Sequence, residues 1–442
     1  MKHDHCVQGA AWEMDREMDR PIRAAGRGAA ARRALLLASA TVLAWGAQPG
    51  RAATQVSPFA TVRVEHDSNV FMRPSAAPPL AAQGIFALGD TLQQYEAGVD
   101  AKFDWGAQHL TLEGRGTRQR YDRFSFLDHT EYRFKGDWQW RLDTVFDGAL
   151  SYVQRRYMAP FADTLTTALL LDTERTAEAV LRLRVSPQWR VVLTPLYHAL
   201  DTPLPSFPAF RLQERGGTAA LQYLGFGKLT AGVQIAYTRG RYAGIVGATR
   251  YGQRDASLTA NYAVSGLSSF AASAGYTLRD TEPNALDSVV RPGYAPDAFA
   301  GYAGVLGRTS SATGQLSYQR TFTGKTRGYL SVFRRLDSYT AGANPEIATG
   351  GAIGVRWRAD ARVTLHVDYS LTREQIRGGL IVANVTDRSD RLQWARVQVR
   401  YALRSWITIQ PYVIWDQEHS SLRLGNYTAT TVGLELTGRM GR

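Results

Sequence analysis

The stretch Thr130–Arg141 reads Thr-Glu-Tyr-Arg-Phe-Lys-Gly-Asp-Trp-Gln-Trp-Arg, and it separates into two faces when every second residue is taken. One face carries Thr130, Tyr132, Phe134, Gly136, Trp138 and Trp140; the other carries Glu131, Arg133, Lys135, Asp137, Gln139 and Arg141. Successive side chains of a β-strand point to opposite sides, so this is one strand with an aromatic side and a polar side. In a soluble sandwich the aromatic side would be core. In an outer-membrane barrel it would meet lipid, and the polar side would line the interior. The neighbouring sequence decides between the two.

The same beat continues in both directions. Ser57–Val64 forms a first strand, followed by a Pro- and Ala-rich loop reaching about Thr91. Leu92–Asp104 and Gln108–Arg120 form a hairpin around Trp105-Gly106-Ala107, and a loop at Tyr121–Asp128 leads into Thr130–Arg141. A turn at Leu142 gives the next strand over Asp143–Tyr157. Further hairpins are expected at about 173–186 with 188–201, 211–224 with 228–241, and 249–264 with 267–281. Three more follow at about 308–322 with 325–339, 348–359 with 361–375, and 388–403 with 405–418, and Asn426–Gly438 closes the series. Long alternation bounded by turn residues is the mark of antiparallel hairpins.

Two regularities favour the barrel. Tight turns follow the even-numbered strands, while longer segments follow the odd-numbered ones, as in bacterial barrels with short periplasmic turns and longer outer loops. The strands are also longer than the ~5–6 residues usual in globular sheets, and longer than the ~9–11 a tilted strand needs to cross a bilayer. Aromatic residues near strand ends (Trp105, Tyr121, Trp138, Trp140, Trp189, Trp357 and Trp406) suit interfacial girdles. The fold expected is all-β: a transmembrane antiparallel up-and-down barrel over residues 53–442, with about 18 strands (16–18) and both ends on the periplasmic side. The register of Phe333, Arg334, Arg335 and Leu336 mixes charge and apolar residues on both faces, so that end of its strand is expected to project beyond lipid.

Composition agrees with this class. The chain has 442 residues and a mean hydropathy of −0.26, which excludes a polytopic helical membrane protein but not a barrel whose strands are half apolar. Residues 1–52 read as a cleaved signal peptide: Arg23, Arg27, Arg32 and Arg33 precede an apolar run, Ala34–Ala44, and Gly50 and Ala52 flank Arg51. The acidic residues Glu13, Asp15 and Glu17 are unusual in such a leader and point to Met14 or Met18 as alternative starts. Cleavage would remove eight basic and five acidic residues, lowering the net charge from +13 to +10, and would remove the only cysteine, Cys6.

The polar phase of each strand defines an expected lumen lining: Glu113, Arg115, Glu131, Arg133, Lys135, Glu178, Arg182, Arg184, Gln234, His366, Asp368, Arg396, Gln398, Arg400 and Glu435. Among these, Glu113, Arg115, Glu131, Arg133, Lys135, Arg182, Arg184, Arg396 and Arg400 are the candidate solute-binding positions. Arginine is the dominant base, with 47 Arg against 5 Lys. Guanidinium groups bind carboxylate or phosphate in a fork, so the lumen would suit anionic solutes such as an acidic polysaccharide. The alternative is a ladder of opposite charges that only solvates and stiffens the wall. Arg308, Arg373, Arg377, Arg388 and Arg423, near loops, also fit contact with lipopolysaccharide phosphates. No basic nucleic-acid-binding motif occurs.

Catalytic and metal signals are weak. The histidines after residue 52 are His66, His109, His129, His198, His366 and His419, none in metal-ligand spacing, and neither Gly-x-Ser-x-Gly nor His-Glu-x-x-His occurs. His198 with Asp201, or His419 with Ser420, could form half of a hydrolase site. No cofactor is expected.

Ser57-Pro58-Phe59, followed by Glu65-x-Asp67-Ser68-Asn69-Val70-Phe71, resembles the opening of the β-barrel porins encoded in exopolysaccharide operons, the EpsL-like group. Arg120-Tyr121-Asp122-Arg123-Phe124, Leu127-Asp128-His129-Thr130 and Trp138-x-Trp140 extend that resemblance, which is sharp over Ser57–Tyr152. It implies a non-enzymatic channel in exopolysaccharide export, with an anionic polysaccharide and periplasmic export proteins as partners. The chain departs from the aromatic ending of many such barrels by closing Gly438-Arg439-Met440-Gly441-Arg442. A general or anion-selective uptake porin is the first alternative, and an outer-membrane hydrolase acting on lipid or polysaccharide is the second. Segments 67–91 and 282–307 are long enough to fold inward and constrict the pore.

Overall fold

Short polar side chains set the tight turns. The Asp143 carboxylate accepts the backbone N–H of Val145 (2.6 Å) and of Phe146 (2.7 Å). Asp360 does the same for Arg362 (2.6 Å) and Val363 (2.8 Å), and the Thr323 hydroxyl for Lys325 (3.1 Å) and Thr326 (3.0 Å). Such side-chain mimicry of a backbone turn explains why these residue types punctuate the strands. Gly106 closes its hairpin with φ at +61°, a conformation that costs glycine little.

A computed structural model describes residues 53–74, 86–164, 167–204, 207–225, 227–244, 247–283, 307–338, 345–377, 387–422 and 425–440. The proposed leader, 1–52, lies outside them. The strands in chain order begin with β1 (Ala53–Asp67), β2 (Asp90–Trp105), β3 (Gln108–Tyr121), β4 (His129–Arg141), β5 (Phe146–Met158) and β6 (Leu171–Arg184). Next come β7 (Trp189–Leu204), β8 (Phe207–Gly225), β9 (Leu229–Gly244), β10 (Gly247–Ser265), β11 (Ser268–Pro283) and β12 (Gly307–Thr321). The last are β13 (Thr326–Ser338), β14 (Pro345–Arg358), β15 (Val363–Arg377), β16 (Asp387–Arg404), β17 (Ile407–Ser420) and β18 (Tyr427–Arg439). Each strand pairs antiparallel with its neighbours in sequence, and β1 pairs with β18 from Phe59↔Arg439 to Asp67↔Thr431. The sheet is therefore a closed, 18-stranded up-and-down barrel, as the alternation implied.

Closure gives every strand a paired neighbour on each side, which is what allows a sheet to sit in hydrocarbon. The outward positions carry the apolar residues. Phe134 and Trp138 of β4 are 43% and 40% exposed, whereas Glu131 on the opposite face is 1% exposed. Val233 and Ile235 of β9, Leu258 of β10, Leu330 of β13 and Leu434 of β18 extend the same exposed belt. Trp105, Trp189, Trp357 and Trp406 are exposed near the tight-turn end, and Trp138 packs on Trp140 with ring centroids 4.9 Å apart. An apolar outer belt with aromatic ends places this barrel in the outer membrane of a Gram-negative cell.

Several boundaries differ from the sequence reading. The expected longer connections near 202–210 and 242–248 are instead continuations of β7–β8 and β9–β10, whose strands run to within a few residues of each other. β8 and β10 are each 19 residues long, longer than any other strand of the barrel. β5 starts at Phe146, not Asp143, because Asp143 is consumed in the turn. Tyr121 is no girdle residue: it points inward and is buried. Leu336 takes the outward phase but is buried, in keeping with a strand end that is not facing lipid.

Candidate functional site

The lumen has two chemically different walls, and inward side chains of its outer half are buried. Register fixes which side chains share each wall, because antiparallel partners lie on one face.

Around β18 and β1–β4, bases and acids neutralise one another, whereas β6 and β7 set Arg184 against Arg190. Arg63 Nε donates to Glu435 at 3.0 Å, and Arg63 also lies 3.9 Å from Glu65. Arg115 Nε donates to Glu113 at 2.8 Å and its Nη1 lies 3.7 Å from Glu96, while Arg133 lies 3.9 Å from Glu113. Lys135 pairs with Asp137 at 2.7 Å. Glu131 is buried, taking His129 Nε2 at 3.0 Å and the Met158 backbone N–H at 2.9 Å. Arg182 donates to Asp147 at 2.9 Å, and Arg184 stands at the periplasmic rim opposite Arg190. Glu178 sits opposite Ser151 and Leu196, and Gln234 opposite Ala220 and Ser257.

The periplasmic half of β13–β16 is different. Arg327, Arg356, His366 and Gln398 form one row across four strands, and Arg358, Thr364 and Arg400 form the next row down. Arg396 stands opposite Asp368, whose Oδ1 also accepts the Tyr329 hydroxyl at 3.0 Å. Asp368 is the only carboxylate among the described inward positions of this patch. Sequence reading had singled out Arg396 and Arg400 but missed Arg327, Arg356 and Arg358. Arg356 and Arg358 flank the girdle residue Trp357, so alternation already gives their inward phase, and pairing with His366 and Thr364 agrees with it.

At the outer end, loops fold onto the inward face. Val70, Phe71, Leu92, Tyr121, Phe124, Leu127, Met158 and Phe161 form an apolar cluster, with Phe71 4.8 Å from Phe124 and 5.0 Å from Phe161 between ring centroids. The Asp90 carboxylate holds it by accepting the N–H groups of Arg123 (3.0 Å) and Phe124 (2.9 Å). A 3-10 turn at Ser125–Leu127 and a single helical turn at Phe161–Thr164 contribute to this closure. Part of segment 67–91 thus folds inward, a course that its length allowed without requiring; 75–85 and 284–306 lie outside the described residues. Inward side chains at this level, including Gln119, Arg279, Glu374, Asp390 and Glu418, are almost wholly buried.

The two hydrolase pairs do not assemble. His198 points inward, with Nδ1 2.7 Å from Glu214 and Nε2 3.5 Å from Glu174, whereas Asp201 takes the other phase and binds Arg211 at 2.7 Å. His419 and Ser420 likewise occupy opposite faces of β17. Of the arginines considered for lipopolysaccharide, Arg388 is buried inside between Asp390 and Glu418, and Arg308 binds Asp280 at 2.9 Å. Arg373 and Arg377 are exposed on the outer face, and Arg423 lies outside the described residues. Among the described residues no cluster of three metal-ligating side chains occurs.

A closed barrel of this width with a polar, charged interior is an outer-membrane β-barrel channel. No family model matches the chain, and no curated protein matches it. The resemblance to the exopolysaccharide-operon porins therefore gains no support from either comparison. Similar solved structures include OccK2 (OpdF) of Pseudomonas aeruginosa, with 11% identity, 88% of this chain and 98% of that one covered, and a TM-score of 0.45. The siderophore receptor PirA of the same organism matches at 9% identity over 88% and 81% of the two chains, with a TM-score of 0.43. The copper transporter OprC matches at 11% identity and a TM-score of 0.43 over 85% of this chain and 64% of its own, less than two thirds of its length. The similarity is one of barrel architecture.

Proposed function

We propose that the barrel is an outer-membrane diffusion channel for the uptake of small anionic solutes. The carrying observation is the patch Arg327, Arg356, Arg358, Arg396 and Arg400, which shares the periplasmic half of its lumen wall with one described carboxylate, Asp368. In a low-dielectric wall such a patch raises the local concentration of anions, and each guanidinium offers a fork to a carboxylate or phosphate. Glu113, Arg115, Glu131, Arg133 and Lys135 instead frame and stiffen the opposite wall, while Arg396 and Arg400 belong to the solute path. The buried inward side chains and apolar cluster of the outer half favour a small cargo over a hydrated polymer. Residues 1–52 would direct secretion and be removed.

Export of an exopolysaccharide, with periplasmic partners, is the second reading and rests on the resemblance over Ser57–Tyr152. Reversal potentials in planar bilayers under a potassium chloride gradient test the first. Chloride preference is expected, moving towards neutrality in the Arg356→Gln/Arg396→Gln/Arg400→Gln variant; cation preference of the unaltered channel overturns it. Loss of secreted polymer on deletion of the gene would favour export.

A further inference from the structure

On the outside of the barrel, near the loop end, the register aligns a second basic row. Arg334 of β13, Thr349 of β14, Arg373 of β15, Arg391 of β16 and His419 of β17 are successive cross-strand partners on the outward face. Arg334 is held in place: Nε donates to the Ala312 carbonyl at 3.2 Å and Nη1 to the Thr349 hydroxyl at 2.9 Å. Arg373 and Arg391 stand directly opposite each other, an arrangement of like charges that destabilises a sheet. Among the described residues no carboxylate forms an ion pair with Arg334, Arg373 or Arg391, and all three are exposed.

Beneath the row lies a cleft. Pairing of β12 with β13 stops at Gly314↔Arg334, although β12 continues to Gly307 along β11 and β13 continues to Ser338 along β14. The wall is notched where the two strands part. A cavity of about 860 Å³ occupies this region, lined by Leu316, Val332 and Leu371 together with Gly314 and Gly351, and edged by the three arginines. The next outward row towards the membrane centre, Val332, Gly351 and Leu371, carries no charge and has a side-chain gap at the glycine.

We propose that this face is a binding site for a phosphorylated glycolipid of the outer leaflet. Its phosphate would sit on the Arg373–Arg391 pair, with Arg334 alongside, and an acyl chain would lie in the groove over Gly351. The row is close to the loop ends of its strands, so it stands at headgroup height, and the apolar groove points towards the hydrocarbon. A bound phosphate offsets the repulsion that the two facing guanidiniums otherwise impose and accepts hydrogen bonds in their fork geometry. The proposal is independent of what passes through the lumen.

The test uses the whole barrel in detergent, with bisphosphorylated lipid A as the probe, read by native mass spectrometry and by thermal unfolding. Lipid A is expected to bind and to raise the unfolding temperature. Dephosphorylated lipid A and phosphatidylglycerol are expected to bind at least about tenfold more weakly. The Arg373→Gln/Arg391→Gln variant should lose about tenfold in lipid A affinity, and Arg377→Gln, exposed but outside the row, should lose nothing. Arg391→Gln alone should be as stable as the unaltered protein or more so without lipid, because it removes the facing charge, yet gain less stability when lipid A is added. Unchanged affinity in the double variant overturns the proposal. So does equal binding of the dephosphorylated lipid, or of phosphatidylglycerol.

Discussion

Arg388 Nη2 lies 2.7 Å from Glu418 across β16 and β17, and its Nε lies 2.9 Å from Asp390, with the Arg388 and Glu418 side chains only 3% and 1% exposed. The cluster is an inward-facing ion triad that water hardly reaches. Removing the base would leave two carboxylates buried without it, at a cost of about 3–5 kcal/mol. Arg388→Met should therefore lower the unfolding temperature markedly, as followed by heat-dependent gel mobility. Adding Asp390→Asn and Glu418→Gln should recover much of the loss, because neutral amides no longer need a cation.

The two lumen walls predict unequal effects from similar substitutions. Lys135 sits 2.7 Å from Asp137 in a mixed ladder, while Arg400 shares its wall with Arg356, Arg358 and Arg396. Arg400→Gln should shift the reversal potential towards cations more than Lys135→Gln does. Equal shifts would show that net lumen charge, not its placement, governs selectivity.

The barrel was legible in the sequence because strand alternation records two solvents. Phe134 and Trp138 meet lipid while Arg133 and Lys135 meet water, and each strand repeats the same division. The basic wall was less legible: Arg356 and Arg358 flank the outward Trp357, but only the register brings them beside Arg327, Arg396 and Arg400 of other strands. The outer closure was hidden for a different reason. Phe71, Phe124 and Phe161 come from three separate connections, and nothing in their spacing says that they meet. Arg388, close to a loop in sequence, points inward because it shares the phase of Ile376.

The turn carboxylates predict a pH dependence. Asp143 is held below the usual carboxylate range by the N–H groups of Phe146 and then Val145, and Asp360 by those of Arg362 and then Val363. A carboxyl whose folded pKa is depressed contributes stability that is present above its unfolded value of about 3.9 and is lost as pH falls through the folded one. The Asp143→Ala/Asp360→Ala variant should be less thermostable at neutral pH. Its deficit should shrink as pH is lowered from about 5 to about 2, and a constant deficit would assign the effect to the turn backbone alone.

The apolar closure can be tested apart from charge. Phe71 is fully buried between Phe124 and Phe161, and truncating such a core phenylalanine costs about 3–5 kcal/mol of local packing. The strands do not depend on it: the barrel closes through β1–β18 pairing, and Phe71 lies beyond the end of β1. Phe71→Ala should therefore leave heat-dependent mobility close to normal while loosening the cluster over the outer mouth. Single-channel recordings should show higher conductance or frequent stepwise fluctuation, with anion preference retained because the basic wall lies at the other end. Asp90→Ala should act in the same direction, since it removes the acceptor that holds the Arg123 and Phe124 N–H groups. Unchanged conductance in both variants would mean that this cluster does not limit the pore.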